Sequence, residues 1–193
     1  MPGTLVPAPK ASSTRALREG LYALVERGHF GAARVEAIGG ELVTGPPEGD
    51  AHDAAVERVA LALRGLDAIG YDVQRDAYVE FGNGDALLPD VFVLGPDGEE
   101  SLARLVVEVA GATLRRDRHT KSAIYALAGV PEYWIVNPRA RQIEVRRDPS
   151  GTEYVSLSLV EEGETIAPLY APEGELRAGS LLPAPDRAGS PRF

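Results

Sequence analysis

Residues 89–137 read PDVFVLGPDGEESLARLVVEVAGATLRRDRHTKSAIYALAGVPEYWIVN, and the order of patterns inside them decides the fold. PDVFVL (89–94) and RLVVEVA (104–110) are short runs rich in β-branched residues, set apart by glycine and aspartate, as strands are. The second run is apolar at nearly every position, as a central strand covered on both faces must be. The period then changes. Arg116 to Ala128 reads as a helix, stopped by Gly129 and Pro131. EYWIVN (132–137) and RQIEVRRD (141–148) follow as a hairpin across Pro138-Arg139-Ala140, and EYVSLSLV (153–160) adds a further strand. This order predicts an α/β chain, more closely α+β: a central mixed β-sheet flanked by helices, with an added β-hairpin.

Outward from that centre the same signals continue. Leu17, Leu21, Leu24 and Val25 recur at helical spacing behind Ser12, Ser13 and Thr14, which are expected to cap the helix. Residues 34–44, with Gly39-Gly40 in the middle, predict a short hairpin ending in ELV. Gly45-Pro46-Pro47-Glu48-Gly49 is a loop, and Asp50 to Leu66 a second helix with Val56, Val59, Ala60 and Leu63 on one face. YDVQRDAYVEF (71–81) reads as strand. No repeat is found. The expected organisation is a flexible tail over residues 1–12, one domain over 13–182 and a second tail over 183–193.

The chain has 193 residues, enough to bury roughly 70% of its unfolded surface. It has no cysteine, which excludes a disulfide scaffold, a thiolate nucleophile and Cys-ligated metal sites. Three histidines (His29, His52 and His119) leave little room for a His-rich metal cluster. No apolar run is long enough to cross a bilayer, and MPGTLVPAPK lacks a signal-peptide core, so the expected location is cytoplasmic, with no membrane partner. A net charge of −9 argues against a polyanion coat, yet Arg104 to Arg147 holds nine basic residues against four acids. A local basic surface on an acidic protein is expected there.

Three residues stand out chemically. Asp90 starts the strand PDVFVL, Glu108 sits inside LVVEVA, and Lys121 lies on the helix that follows. A carboxylate inside a central strand is costly unless it is paired, hydrogen-bonded or bound to a metal. Two acids at neighbouring strand ends make a hard oxygen site of the kind Mg²⁺ takes. Simpler readings stand beside these: Asp90 opening a strand, Glu108 alternating onto a solvated face, Lys121 paired with Asp117 on a helix surface. Of 20 basic residues only Lys10 and Lys121 are lysine, which favours a position where a compact ammonium is required. Arg115, Arg116 and Arg118 could grip phosphates, or simply line a solvated helix face. Of Tyr133 and Trp134, alternation should bury one, and core packing is favoured over base stacking. No serine has a histidine placed for a triad, and no phosphate-binding loop of the P-loop type appears.

The arrangement of Asp90, strand Glu108 and a lysine resembles the PD-(D/E)XK nuclease superfamily. More closely, the chain resembles the Uma-two (Uma2) family of restriction-endonuclease-like proteins. GGELV (39–43), His52, PDVFVL, LVVEVA, the four-residue spacing of Asp117, Lys121 and Tyr125, and GVPEYWIVNP (129–138) carry the resemblance over roughly residues 30–150. It implies that Asp90 and Glu108 ligate a metal together with the Val109 carbonyl, with Lys121 the catalytic lysine and Glu41 an additional acid. His52 would contact phosphate or Glu41. The superfamily's commoner lysine position is here Ala110, and the family's Ser-Pro-Ser/Thr turn is here Ala110-Gly111-Ala112-Thr113. The implied activity is Mg²⁺-dependent endonuclease cleavage of DNA, with Mn²⁺ as the alternative ion. The alternatives are an inactive binding or assembly module on the same shell and a hydrolase of small phosphate esters. The edge of EYVSLSLV makes a homodimer an expectation as well.

Overall fold

The computed structural model describes residues 11–31, 33–45, 48–66, 70–82, 84–96 and 102–183. Most of the two expected tails, residues 1–10 and 184–193, lies outside the described residues. In chain order the elements begin with α1 (Ala11–Glu26), β1 (Val35–Ile38), β2 (Glu41–Thr44), α2 (Asp50–Arg64), β3 (Asp72–Arg75), β4 (Val79–Glu80), β5 (Ala86–Leu87) and β6 (Val91–Leu94). Then come β7 (Ala103–Val109), α3 (Leu114–Arg116), a π-helical turn (Asp117–Lys121), α4 (Ser122–Leu127), β8 (Glu132–Asn137), β9 (Gln142–Ser150) and β10 (Glu153–Glu161). The last elements are β11 (Thr165–Ile166), β12 (Leu176–Arg177) and α5 (Ala178–Leu181).

The described residues pack as two compact units, one within Met1–Pro47 and Tyr78–Leu88, the other within Glu48–Ala77 and Pro89–Phe193. The first holds α1 and a four-stranded antiparallel sheet of order β2-β1-β5-β4. Gly39 and Gly40 have φ of 60° and 84° and close the β1–β2 hairpin with Ile38 opposite Glu41, the left-handed pair that a two-residue hairpin turn needs. Leu21, Val35, Ala37 and Ala86 make its core. Ser12 to Thr14 fall inside α1 rather than capping it, and Thr14 is buried against Gly84, whose φ of 93° and lack of a Cβ allow the approach.

The second unit is built on a six-stranded mixed sheet of order β10-β9-β8-β7-β6-β3. Only β7 and β8 are parallel, joined by the helical stretch from α3 to α4, because a parallel pair needs a crossover. Period-two alternation sends Val107 and Val109 of β7, Trp134 and Val136 of β8, and Ile143 and Val145 of β9 to one face. There they pack on Val56, Val59, Ala60 and Leu63 of α2. The opposite face, with Glu108, Tyr133 and Glu144, lies under the α3–α4 crossover, which reaches it through Lys121, Tyr125 and Arg118.

Two sequence expectations change here. YDVQRDAYVEF breaks at Asp76, whose φ is 54°, so β3 joins one sheet and β4 the other. Tyr133 and Trp134 are both 0% exposed, because the two faces of β8 are both covered. The core-packing reading of Trp134 holds, and its Nε1 donates to Glu132 Oε1 at 2.8 Å. No helix among the described residues is long and apolar enough to cross a membrane.

Candidate metal and phosphodiester site

Pro89 and Asp90 precede β6, and β6 runs antiparallel to β7 with Val91 opposite Val107. One step back along β6, Asp90 falls beside Glu108. Asp90 Oδ2 accepts the Val109 N–H at 2.7 Å, so the backbone of the strand that carries Glu108 also holds the first acid. Both are buried, at 2% and 3% exposure. Desolvating each carboxylate costs several kcal/mol, and two neighbouring negative charges add repulsion.

Each acid is met by a cation from a different helix. His52 on α2 places Nε2 3.2 Å from Asp90 Oδ2, and its Nδ1 lies 2.7 Å from Glu48 Oε2. Burial works against charge on this imidazole, but the carboxylates of Asp90 and Glu48 beside it outweigh it and raise its pKa from 6.5 to about 10. Lys121 Nζ donates to Glu108 Oε1 at 2.7 Å, and the Tyr125 hydroxyl donates to the same oxygen at 2.7 Å. Lys121 is 4% exposed, so it is not a helix-surface cation: its ammonium is buried on Glu108 and also acts on the buried Asp117 carboxyl. Likewise Glu108 does not face solvent.

The four-residue spacing of Asp117, Lys121 and Tyr125 puts all three against the sheet, at 1%, 4% and 0% exposure. The first two lie in the π-helical turn, a distortion often found at functional sites. The Asp117 carboxyl accepts from Thr113 Oγ1 at 2.8 Å. Burial, partly opposed by Lys121 and Thr113, pushes its pKa up to about 6.

Glu41 is exposed on β2, in the first unit. His52 lies with Nδ1 against Glu48 and Nε2 against Asp90, which places it to orient the Asp90 carboxylate. Val109 takes part through its N–H. Arg115 is exposed and Arg116 half-buried, while Arg118 is bonded to Glu144.

Two participants escape the sequence reading. Glu48 falls in the 45–49 loop, yet it stands four residues before His52, the spacing that brings side chains together across a helix start. Glu144 sits between Ile143 and Val145 as Glu108 sits between Val107 and Val109, and that repeated pattern was its only signal.

The donor chemistry suits a divalent cation. Asp90 and Glu108 offer carboxylate oxygens on neighbouring strands, the hard donors that Mg²⁺ takes. One ligand atom each from Glu48, His52 and Asp90 also lies within 4.8 Å of the others, a second grouping that could hold an ion.

A family model described as "Putative restriction endonuclease" matches residues 25–178, which include every residue of this cluster. The chain belongs to the Uma2 family. Among solved structures, the chain resembles "a putative nuclease belonging to DUF820 from Anabaena variabilis ATCC 29413", with a TM-score of 0.63 and 17% identity over 76% of this chain and 88% of that one. That likeness gives the Uma2 chain a nuclease-type fold. No curated protein matches it.

Proposed function

We propose that this Uma2 protein is a Mg²⁺-dependent nuclease that hydrolyses DNA phosphodiester bonds at Asp90, Glu108 and Lys121. The observation that carries the reading is the meeting of two buried carboxylates on neighbouring strands with a buried ammonium 2.7 Å from one of them. Asp90 and Glu108 would hold the ion, joined by the Val109 carbonyl. When bound, a divalent cation polarises a phosphoryl oxygen and lowers the pKa of a coordinated water.

The chain's own groups do the rest. The Val109 N–H and His52 fix the Asp90 carboxylate, and Tyr125 fixes that of Glu108, so neither acid has to reorganise when charge develops. Lys121 keeps a compact positive charge where the attacked phosphate gains negative charge. Arg115, exposed beside this helix, and half-buried Arg116 supply the start of a phosphate-binding surface. Glu41 stays in the proposal as an additional acid. A homodimer stays too: β10 ends the sheet and exposes Val155, Leu157 and Leu159, which supports pairing with a second copy.

A non-catalytic binding module is favoured by one observation: both acids already have internal cations, so an incoming ion must compete with Lys121 and His52. Calorimetric titration with Mg²⁺ and Mn²⁺, beside cleavage of supercoiled plasmid, separates the two readings. The nuclease reading expects ion binding and nicking in the wild type, and neither in Asp90→Ala. Absence of both in the wild type would leave the binding module.

A further inference from the structure

Glu144 is the counterpart in β9 of Glu108 in β7, a carboxylate 3% exposed between two apolar neighbours. The register runs from Glu108 to Ile135 to Glu144, which puts the two acids on one sheet face two strands apart, about 10 Å. Glu108 meets the Lys121 ammonium, and Glu144 meets two guanidiniums. Its Oε1 accepts from Arg118 Nε at 2.8 Å and lies 2.6 Å from Arg118 Nη2. Its Oε2 accepts from Arg146 Nη2 at 3.1 Å, and Arg146 Nη1 donates to Ser122 Oγ at 3.3 Å. One carboxylate between two guanidiniums leaves a positive charge over.

The π-helical turn thus sends Lys121 to β7 and Arg118 to β9 from positions three residues apart. The Arg118 side chain is 39% exposed and that of Arg146 only 16%, so Arg118 is the one within reach of a ligand. Its Nη1 takes no part in the bonds to Glu144. A planar guanidinium that is already oriented, carries spare donors and stands beside a phosphodiester site matches a phosphate oxygen. Holding the fork in place beforehand removes the ordering cost from binding.

We propose that Arg118 grips a backbone phosphate of the nucleic acid beside the scissile bond, and that Glu144 is the positioning residue that fixes its guanidinium. This rests on the nuclease reading.

The test is fluorescence anisotropy of the full chain with a labelled duplex DNA, with Ca²⁺ in place of Mg²⁺ and over a series of salt concentrations. Arg118→Ala is expected to weaken binding about tenfold and to reduce the salt slope by about one ion. Arg118→Lys keeps the charge but loses the fork, so it should keep the slope and still bind a few-fold more weakly. Glu144→Gln gives the sharpest sign. It adds a unit of positive charge, so a merely electrostatic flank would bind DNA more tightly, whereas a positioning role predicts weaker binding. Tighter binding by Glu144→Gln, or wild-type affinity in both Arg118 variants, overturns the proposal. Should Glu144→Gln fail to fold, the half-exposed Arg118 pair decides alone. If the wild type binds no duplex at all, the nuclease reading fails with it; if only the variants behave as wild type, that reading stands and this inference falls.

Discussion

Lys121 Nζ lies 2.7 Å from Glu108 Oε1, with both side chains only 5% exposed. Removing one partner of such a pair leaves a bare buried charge and costs about 3–5 kcal/mol, whereas removing both often costs little. Lys121→Met should therefore lower stability by about that amount in urea denaturation without metal, and adding Glu108→Gln should restore most of it. A single mutant as stable as the wild type would mean that the pair is not formed in solution.

Catalysis should divide the same residues differently. Asp90→Ala and Glu108→Ala are expected to abolish metal-dependent plasmid nicking while circular dichroism still reports a folded chain. Lys121→Arg keeps the charge but not its compactness, and turnover should fall at least about tenfold. Unchanged turnover would reduce Lys121 to a structural partner of Glu108.

Asp117 gives a pH signature. Burial is the main reason that its carboxyl titrates near 6 rather than 3.8, so the folded protein holds this proton more tightly than the unfolded chain does. Its contribution to stability is complete below pH 3.8 and is lost as pH rises through 6. Asp117→Asn, a neutral isostere, should thus be more stable than wild type at pH 8, by on the order of 2–3 kcal/mol, with the gap closing towards pH 4. Urea midpoints at the two pH values measure it, and an equal gap at both would refute the assignment.

Glu132 serves as a control away from the site. Fully buried, it accepts from Trp134 Nε1 and the Leu169 N–H and pairs with Arg147 at 2.6 Å. Glu132→Ala should destabilise by about 3–5 kcal/mol, yet leave Mg²⁺ affinity unchanged at temperatures where the protein stays folded. A loss of affinity in the folded variant would show that this network supports the ion site.

Much of the second unit was legible because its signals are local. The two-sided apolar run around Glu108, the helical period from Arg116 and the stop at Gly129 mark a central strand, a crossover helix and the next strand, though the helix starts two residues earlier, at Leu114. The Asp117–Lys121–Tyr125 spacing was legible as part of a family pattern, but not that all three face inward, because the same spacing also fits a surface ion pair. Illegible were contacts that exist only once the crossover lies on the sheet and α2 beside Asp90: Glu48 on His52, and Glu144 holding Arg118 and Arg146. The break at Asp76 was hidden for another reason, since β-branched and aromatic residues continue through it while the chain changes sheet.

That break has a practical consequence. Strands β4 and β5 enter as an eleven-residue excursion, Tyr78–Leu88, from a stretch that otherwise belongs to the second unit. Neither unit is therefore a contiguous gene fragment. Deleting everything up to Pro47 would strand β4 and β5 without β1, and a hairpin of two-residue strands has too little structure to persist alone. A deletion up to Pro47 removes the first unit only in part, so point substitutions, not deletions, are the way to assign activity within this chain.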